Sequence, residues 1–354
     1  MSSKDTAHPG NRRWRRANAG KMPVQTRPAL PAVIPEHILW APEELDFGPE
    51  KVIDDLYFFF DELRFRAISL RQRVIVDLRQ CTRIGPVGVL LLAAEITRCN
   101  HAHPDSVTGY SPDNVTARRT LSVFGFFEAV GLEPDEVVGP LPGYYQIQSG
   151  IGRTDDLSAK LGDVAALTRG LWNDQAFSDR IHGALNEAMT NVLMHAYDPV
   201  LLEQADACES GRWWVAGMAS RERDDAWFMA LDLGVGMPVS APAKNKDLRA
   251  YLTKPIQRTD ASIIWHLVTG EGRSRTGLPQ HGKGIPTMVS LIRDRVDVGT
   301  LWIVSGLGLY LLDKNSARSG LKNIEISRTL KARSAGTLIL WKVGRPIMIQ
   351  AKGS

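Results

Sequence analysis

Hydrophobic residues recur along this chain in two ways, and each predicts a different kind of element. Unbroken apolar runs predict buried strands at residues 73–78, 212–220, 226–233, 301–312 and 336–343. Helical spacing of apolar residues predicts helices at residues 52–63, 85–99, 114–130, 157–171, 177–198 and 261–268. Strands and helices that alternate in this way predict an α/β (α+β) protein with two folded domains.

The helix that ends at Asp198 carries a polar stripe beside its apolar one. Glu187, Asn191 and His195 are four residues apart, so they share one helix face. A carboxylate can act as a base or orient water, and an amide oxygen is a suitable ligand for Mg²⁺. An ordinary amphipathic helix with a polar edge is the alternative interpretation of Glu187 and Asn191.

Two glycine-bearing stretches follow this helix. The first is the strand end Asp232-Leu233-Gly234-Val235-Gly236, where a carboxylate could accept hydrogen bonds from the exocyclic amine of a base. Its glycines would let the backbone approach a flat ring closely. The second is Gly282-Lys283-Gly284, which leads into a predicted helix. Backbone N–H groups at a helix start can hold phosphate.

The order of these motifs resembles the GHKL family of ATP-binding domains, which includes gyrase, histidine kinases and the anti-sigma-factor kinases. The resemblance covers residues 160–345 and implies an α/β sandwich with a mixed sheet covered by helices on one face. It implies ATP and Mg²⁺ as cofactors. Glu187 would be the catalytic base, Asn191 would coordinate Mg²⁺, and Asp232 would bind the adenine amine. The remaining implied cofactor-binding residues are Gly234, Gly236, Gly282, Lys283, Gly284 and Thr337.

Cationic residues of the interval between the two glycine motifs are further candidates for phosphate contact. In the GHKL family this interval holds the lid over the nucleotide, and here it contains Arg273 and Arg275. Lys283, flanked by both glycines, is the third cation. A mobile surface loop is the alternative interpretation. The stretch 277–284 also matches most of a P-loop, but Gly284 stands where that motif needs Ser or Thr.

Residues 37–138 predict a separate small α/β domain. Residues 74–96 of this domain resemble the central strand-loop-helix of STAS domains, the fold of anti-sigma-factor antagonists. Their sequence is VIVDLRQCTRIGPVGVLLLAAEI. Pro86 occupies the position of that family's phosphorylated serine. Because proline has no hydroxyl, phosphorylation at this position is excluded. The domain is expected to serve as a scaffold for a protein partner or for a homodimer; the alternative interpretation is that it only packs against the neighbouring domain.

Composition separates the remaining segments. Residues 1–36 predict a basic, disordered tail, since residues 1–35 hold seven Lys and Arg against one Asp, and five prolines. The cluster RRWRR at 12–16 could contact nucleic acid weakly, or could only solubilise the chain. Residues 139–160 predict a linker, residues 161–346 the GHKL-type domain, and residues 347–354 a second tail.

The cysteines and hydropathy favour a cytoplasmic, bacterial protein that has no membrane partner. No apolar run approaches the ~20 residues of a membrane span, and no apolar segment follows the basic residues near the N-terminus. Three widely separated cysteines fit a reducing compartment. Three outputs stay open: an ATP-driven switch or slow ATPase, a serine/threonine kinase that acts on a partner, and a non-hydrolysing module with nucleic-acid contact through the tail. A histidine autokinase is disfavoured because no acceptor helix precedes the site.

Overall fold

The chain folds as two compact units. The computed structural model describes residues 13–14, 36–134, 141–202, 211–244, 246–253, 258–269, 284–315 and 322–346. The N-terminal unit is Met1–Leu141 and the C-terminal unit is Pro142–Ser354. Each unit combines helices with β-sheet, so the predicted α/β class is confirmed at this level.

The N-terminal unit is built around a small parallel sheet. Its strands are β1 (Glu36–Trp40), β2 (Glu44–Leu45), β3 (Arg73–Asp77), β4 (Arg83–Ile84) and β5 (Val107–Tyr110). Its helices are α1 (Glu50–Arg64), α2 (Pro86–Ala102), α3 (Val115–Val123) and α4 (Phe126–Ala129), and a π-helical turn at Phe65–Ser69 continues α1. The main sheet has the order β1-β3-β5 with parallel pairing, and β2 pairs with β4.

Local sequence explains the elements of this unit. The central strand β3 buries Val74, Ile75 and Val76, as expected for a strand covered on both faces. Pro86 begins α2, where its missing N–H costs nothing. Asn114 caps α3, because its side chain accepts a hydrogen bond from the backbone N–H of Ala117 at 3.0 Å.

One part of the predicted disordered tail is ordered. Trp14 is only 5% exposed, and its backbone N–H donates to the carbonyl of Gly109 at 2.8 Å. Arg13 forms an antiparallel bridge with Tyr110. The prediction of a disordered tail is therefore wrong for these two residues, because the indole that composition assigned to solvent is buried. The other tail residues, 1–12 and 15–35, lie outside the described residues, as does the predicted tail at 347–354.

The C-terminal unit contains a five-stranded sheet. Its strands are β6 (Tyr144–Ile151), β7 (Arg212–Ser220), β8 (Asp225–Asp232), β9 (Gly299–Lys314) and β10 (Ile324–Val343), in the order β6-β7-β8-β10-β9. Its helices are α5 (Leu157–Trp172), α6 (Gln175–Asn191), α7 (Pro199–Leu202), α8 (Met237–Lys244), α9 (Lys246–Tyr251), α10 (Asp260–Thr269) and α11 (Gly284–Arg295). The predicted hairpin of β7 and β8 is confirmed.

The core of this unit lies between the sheet and four helices. Alternate strand residues such as Trp213, Phe228, Ile303 and Trp341 pack in one cluster with residues of α5, α6, α10 and α11. Every strand pairing in the described sheet is antiparallel. The predicted mixed sheet is therefore wrong in its strand directions, because the turn at residues 221–224 makes β7 and β8 antiparallel, and β10 then pairs antiparallel with both β8 and β9.

One boundary differs from the pattern-based expectation. Residues 144–151, inside the predicted linker 139–160, form the edge strand β6. The glycine-rich break near Ser305 is a bulged part of the β9–β10 pair, with register shifts opposite Ser305 and Gly306. Among the residues that the structure describes, no helix is both long and apolar enough to cross a membrane.

Candidate functional site

The helix α6 carries the predicted catalytic residues. Asp174 caps its start by accepting a hydrogen bond from the N–H of Phe177 at 2.9 Å. Its apolar stripe, which includes Leu185 and Met189, is fully buried in the core. Glu187 and Asn191 lie at the edge of this stripe and are half-buried. Both side chains are therefore placed between the core and the surface.

The helix changes its winding directly after Asn191. Residues Val192–Ala196 form a π-helical turn, and His195 within it is exposed. The wider turn interrupts the four-residue spacing of the polar stripe, which an uninterrupted α-helix would have continued to His195. Glu187 and Asn191, both within α6, keep the predicted spacing.

The start of α11 lies directly against these two side chains. A Cβ atom added to Gly284 would be 2.7 Å from Glu187 Oε2 and 3.7 Å from Asn191 Nδ2. A side chain at this position would therefore require the Glu187 carboxylate to move. The structure thus brings Gly284 to Glu187 and Asn191, which precede it by 97 and 93 residues in the sequence.

The polar atoms of this group are available for a ligand. Asn191 Nδ2 is buried and has no hydrogen-bond partner among the described residues. Such an atom is costly unless something binds it. Within the described part of the chain, the Glu187 carboxylate contacts no cation. A buried amide and a free carboxylate beside a helix start are what a bound phosphate–metal group would need.

Asp232 forms the second part of the site, at the end of β8. Its side chain is 4% exposed, and Oδ1 accepts a hydrogen bond from the N–H of Gly234 at 2.8 Å. Burial raises the pKa of this carboxyl to about 7, although the N–H groups of Gly234 and Thr337 oppose the shift. A buried acceptor of this kind suits one specific donor, such as an exocyclic amine.

The raised pKa of Asp232 makes a testable contribution to stability. Because the folded protein binds this proton more tightly than the unfolded chain, the free energy of unfolding should decrease as the pH rises from about 4 to about 7. Asp232→Asn removes this loss, so the variant should gain stability relative to wild type between about pH 5 and pH 8. Urea unfolding of both proteins at about pH 5 and about pH 8 measures the difference between their free energies of unfolding. If this difference is the same at both pH values, the pKa of Asp232 is not raised in the folded protein.

The Asp232 turn is attached to the end of the motif helix. The N–H of Val235 donates to the carbonyl of Ala196 at 2.8 Å. A Cβ on Gly234 would lie 2.1 Å from that carbonyl oxygen, so only glycine allows this approach. The Tyr197 hydroxyl accepts from the N–H of Leu233 at 3.1 Å and bonds the carbonyl of Arg212. These contacts connect the strand end of β8 with the same helix that carries Glu187 and Asn191.

Thr337 lies beside Asp232 in the sheet. The two residues are register partners in the β8–β10 pair. The hydroxyl oxygens of Thr337 and Ser305 are 3.0 Å apart. The Ser305 hydroxyl also accepts a hydrogen bond from the N–H of Met237 at 2.9 Å. Gly236 lies against Ser305 as well. Ser305 is fully buried and was not predicted as a site residue; its only sequence signal is the glycine-rich break in β9.

The remaining candidates cannot be placed. Gly282 and Lys283, together with Arg273 and Arg275, lie outside the described residues, so only Gly284 of the second glycine motif is located. The described side chains contain no cluster of three or more His, Cys, Asp or Glu that could hold a metal ion. Among the described residues, Asn191 is therefore the candidate side chain for holding a metal here, together with oxygen atoms of a bound phosphate.

The arrangement therefore offers two chemically different groups joined by one helix. One group, with Glu187, Asn191 and Gly284, suits a charged phosphate end. The other, with Asp232 and Thr337, suits a neutral hydrogen-bonding ring. Comparison with known proteins gives no independent assignment, because no family model and no curated protein matches this chain.

Proposed function

We propose that the C-terminal unit binds ATP together with Mg²⁺, and that the protein is an ATP-driven switch or slow ATPase in bacterial regulation. The observation that carries the proposal is the packing of Gly284 against Glu187 and Asn191, while the Asp232 turn bonds to the end of the same helix. Three separate segments thereby supply groups for one ligand. Each segment contains one of the motifs that resemble the GHKL family.

The side chains fit the chemistry of this ligand. Asp232 is a buried acceptor for the adenine amine, and Thr337 next to it adds a hydroxyl. Asn191 Oδ1 is an oxygen of the kind that Mg²⁺ binds, and the bound ion would neutralise charge on the phosphates. The buried, unpartnered Nδ2 of the same amide can donate a hydrogen bond to a phosphate oxygen. The N-terminus of α11, a helix of 12 residues, directs its backbone N–H groups to the same place.

Glu187 is the residue that would act on the nucleophile. A half-buried carboxylate next to a helix N-terminus can accept a hydrogen bond from water or from a hydroxyl group. Attack of that oxygen on the γ-phosphorus breaks the bond to the β,γ-bridging oxygen and releases ADP, and the proton of the nucleophile passes to Glu187. The same geometry serves hydrolysis and transfer to a protein hydroxyl.

The two alternative outputs differ in where the phosphate goes. A serine/threonine kinase would transfer the phosphate to a hydroxyl group of a partner protein. The N-terminal unit could not accept it at the position that resembles the STAS phosphorylation site, because Pro86 has no hydroxyl. A non-hydrolysing module would bind ATP and release neither product. Detection of free phosphate, of a phosphorylated partner or of neither one separates the three outputs.

Removal of the Asn191 amide tests the phosphate end of the site. We expect Asn191→Ala to weaken binding of ATP in the presence of Mg²⁺ by about ten-fold or more, because a ligand of the ion is lost. Binding of ATP in EDTA should change little. Titration calorimetry of both proteins with and without Mg²⁺ measures the two affinities.

Asn186→Ala is the matched control, since Asn186 lies on the same helix but outside the stripe of Glu187 and Asn191. It should leave the Mg²⁺ dependence of binding unchanged. If Asn191→Ala retains the full effect of Mg²⁺ while its thermal unfolding is normal, the assignment of Asn191 is wrong.

A further inference from the structure

Trp14 occupies a defined socket on the N-terminal unit. Its indole is 5% exposed, and the indole N–H donates to the Ser111 hydroxyl at 3.0 Å. The ring lies 5.3 Å from that of Phe126, at an interplanar angle of 59°. Ser111 and Phe126 are themselves 2% and 0% exposed. The socket thus recognises both the apolar body of a tryptophan and its single donor.

The backbone of the same segment extends the parallel sheet. The strand β5 is an edge strand, since only β3 pairs with it among the named strands. The N–H of Trp14 donates to the Gly109 carbonyl at 2.8 Å, and Arg13 bridges Tyr110. A Cβ at Gly109 would lie 2.5 Å from the Val76 carbonyl oxygen and 2.6 Å from the indole, so glycine allows both close approaches. Strand addition with one buried anchor is a known mode of peptide recognition.

The connection to the rest of the unit is long enough for exchange. Residues 15–35 separate Trp14 from β1, and 21 residues can reach about 70 Å when extended. A tethered segment of this kind rebinds with an effective concentration of about a millimolar.

We propose that the socket formed by Gly109, Ser111 and Phe126 is a peptide-recognition site for a tryptophan in an arginine-flanked extended segment, and that its occupant is residues 13–14 of this chain. The docked state removes the indole from any other partner. The tail can therefore present its tryptophan to a second ligand only when it leaves the socket. This inference is independent of nucleotide binding.

Competition in trans tests the proposal on the full-length chain. The probe is a fluorescein-labelled peptide of residues 10–19, and its binding is followed by anisotropy. We expect Trp14→Ala protein, whose own segment lacks the anchor, to bind the probe about ten-fold or more tightly than wild type does, because the wild-type segment competes. The same peptide with alanine at the tryptophan position should not bind.

Two further variants and one further measurement secure the result. Ser111→Ala, added to Trp14→Ala, should weaken probe binding by about three-fold or more through loss of the indole hydrogen bond. Trp40→Ala removes an exposed tryptophan of the same unit and should behave as wild type does. Trypsin should cut after Arg13 about ten-fold more slowly in wild type than in Trp14→Ala, because cleavage requires the backbone to leave β5. Equal probe binding by wild type and Trp14→Ala, or equal cleavage rates, would overturn the proposal.

Discussion

Asp232→Ala is expected to weaken ATP binding by more than about 100-fold, because a site built around a buried hydrogen-bonding group depends strongly on it. In wild type, ATP should bind better than GTP, since guanine presents a carbonyl where adenine presents its amine. The Asp232→Ala variant should lose most of this preference, because the substitution weakens the binding of ATP, whose adenine amine the carboxylate contacts. Titration calorimetry with both nucleotides measures the two affinities and their ratio.

Asp225→Ala provides a matched control for this substitution. Asp225 begins the strand that Asp232 ends, and it is also buried, at 6% exposure. Its carboxylate pairs with Arg223 at 3.2 Å and not with the proposed site. Loss of the ATP preference in Asp225→Ala to the same extent would mean that general damage to β8, and not the loss of an adenine contact, explains the result.

The sequence was most informative where one physical requirement dominates a segment. The strand β3 and the hairpin of β7 and β8 were predicted because buried strands need unbroken apolar runs. The helix α6 was predicted because its core face repeats with the helical period. The contact of Gly284 with Glu187 joins residues 97 positions apart, so no local pattern predicts it, and only the order of the motifs that resemble the GHKL family pointed to it.

The missed features all depend on contacts between distant residues. Ser305 reaches Thr337 only because β9 and β10 pair with a bulge, and no local pattern shows that register. Trp14 was assigned to a solvent-exposed tail because its neighbours are basic, yet the socket residue Ser111 is 97 positions away. The edge strand β6 was not recognised because Gly150 and several polar residues interrupt its apolar pattern.

Buried charges in the N-terminal unit give the largest expected effect on stability. Arg64 Nη1 donates to Glu95 Oε1 at 2.7 Å, and the Glu95 side chain is 2% exposed. Glu95→Ala would leave the buried Arg64 guanidinium without this partner, and Arg98, at 3.9 Å from the same carboxylate, would lose it too. We expect the free energy of unfolding of this unit to fall by about 3–5 kcal/mol. Hydrogen exchange of the α2 amides measures this value separately from the C-terminal unit.

Asp61→Ala separates the effect of burial from the loss of an ion pair. Asp61 also accepts from Arg64, at 2.9 Å, but its side chain is 56% exposed. Water can replace a partner at that position, so the expected loss is at most about 1 kcal/mol. Because both variants remove one carboxylate from the same arginine, their difference reports how much more a buried partner contributes than an exposed one. Equal losses in the two variants would show that Arg64 reaches water in the folded state and that Glu95 contributes no more than an exposed partner does.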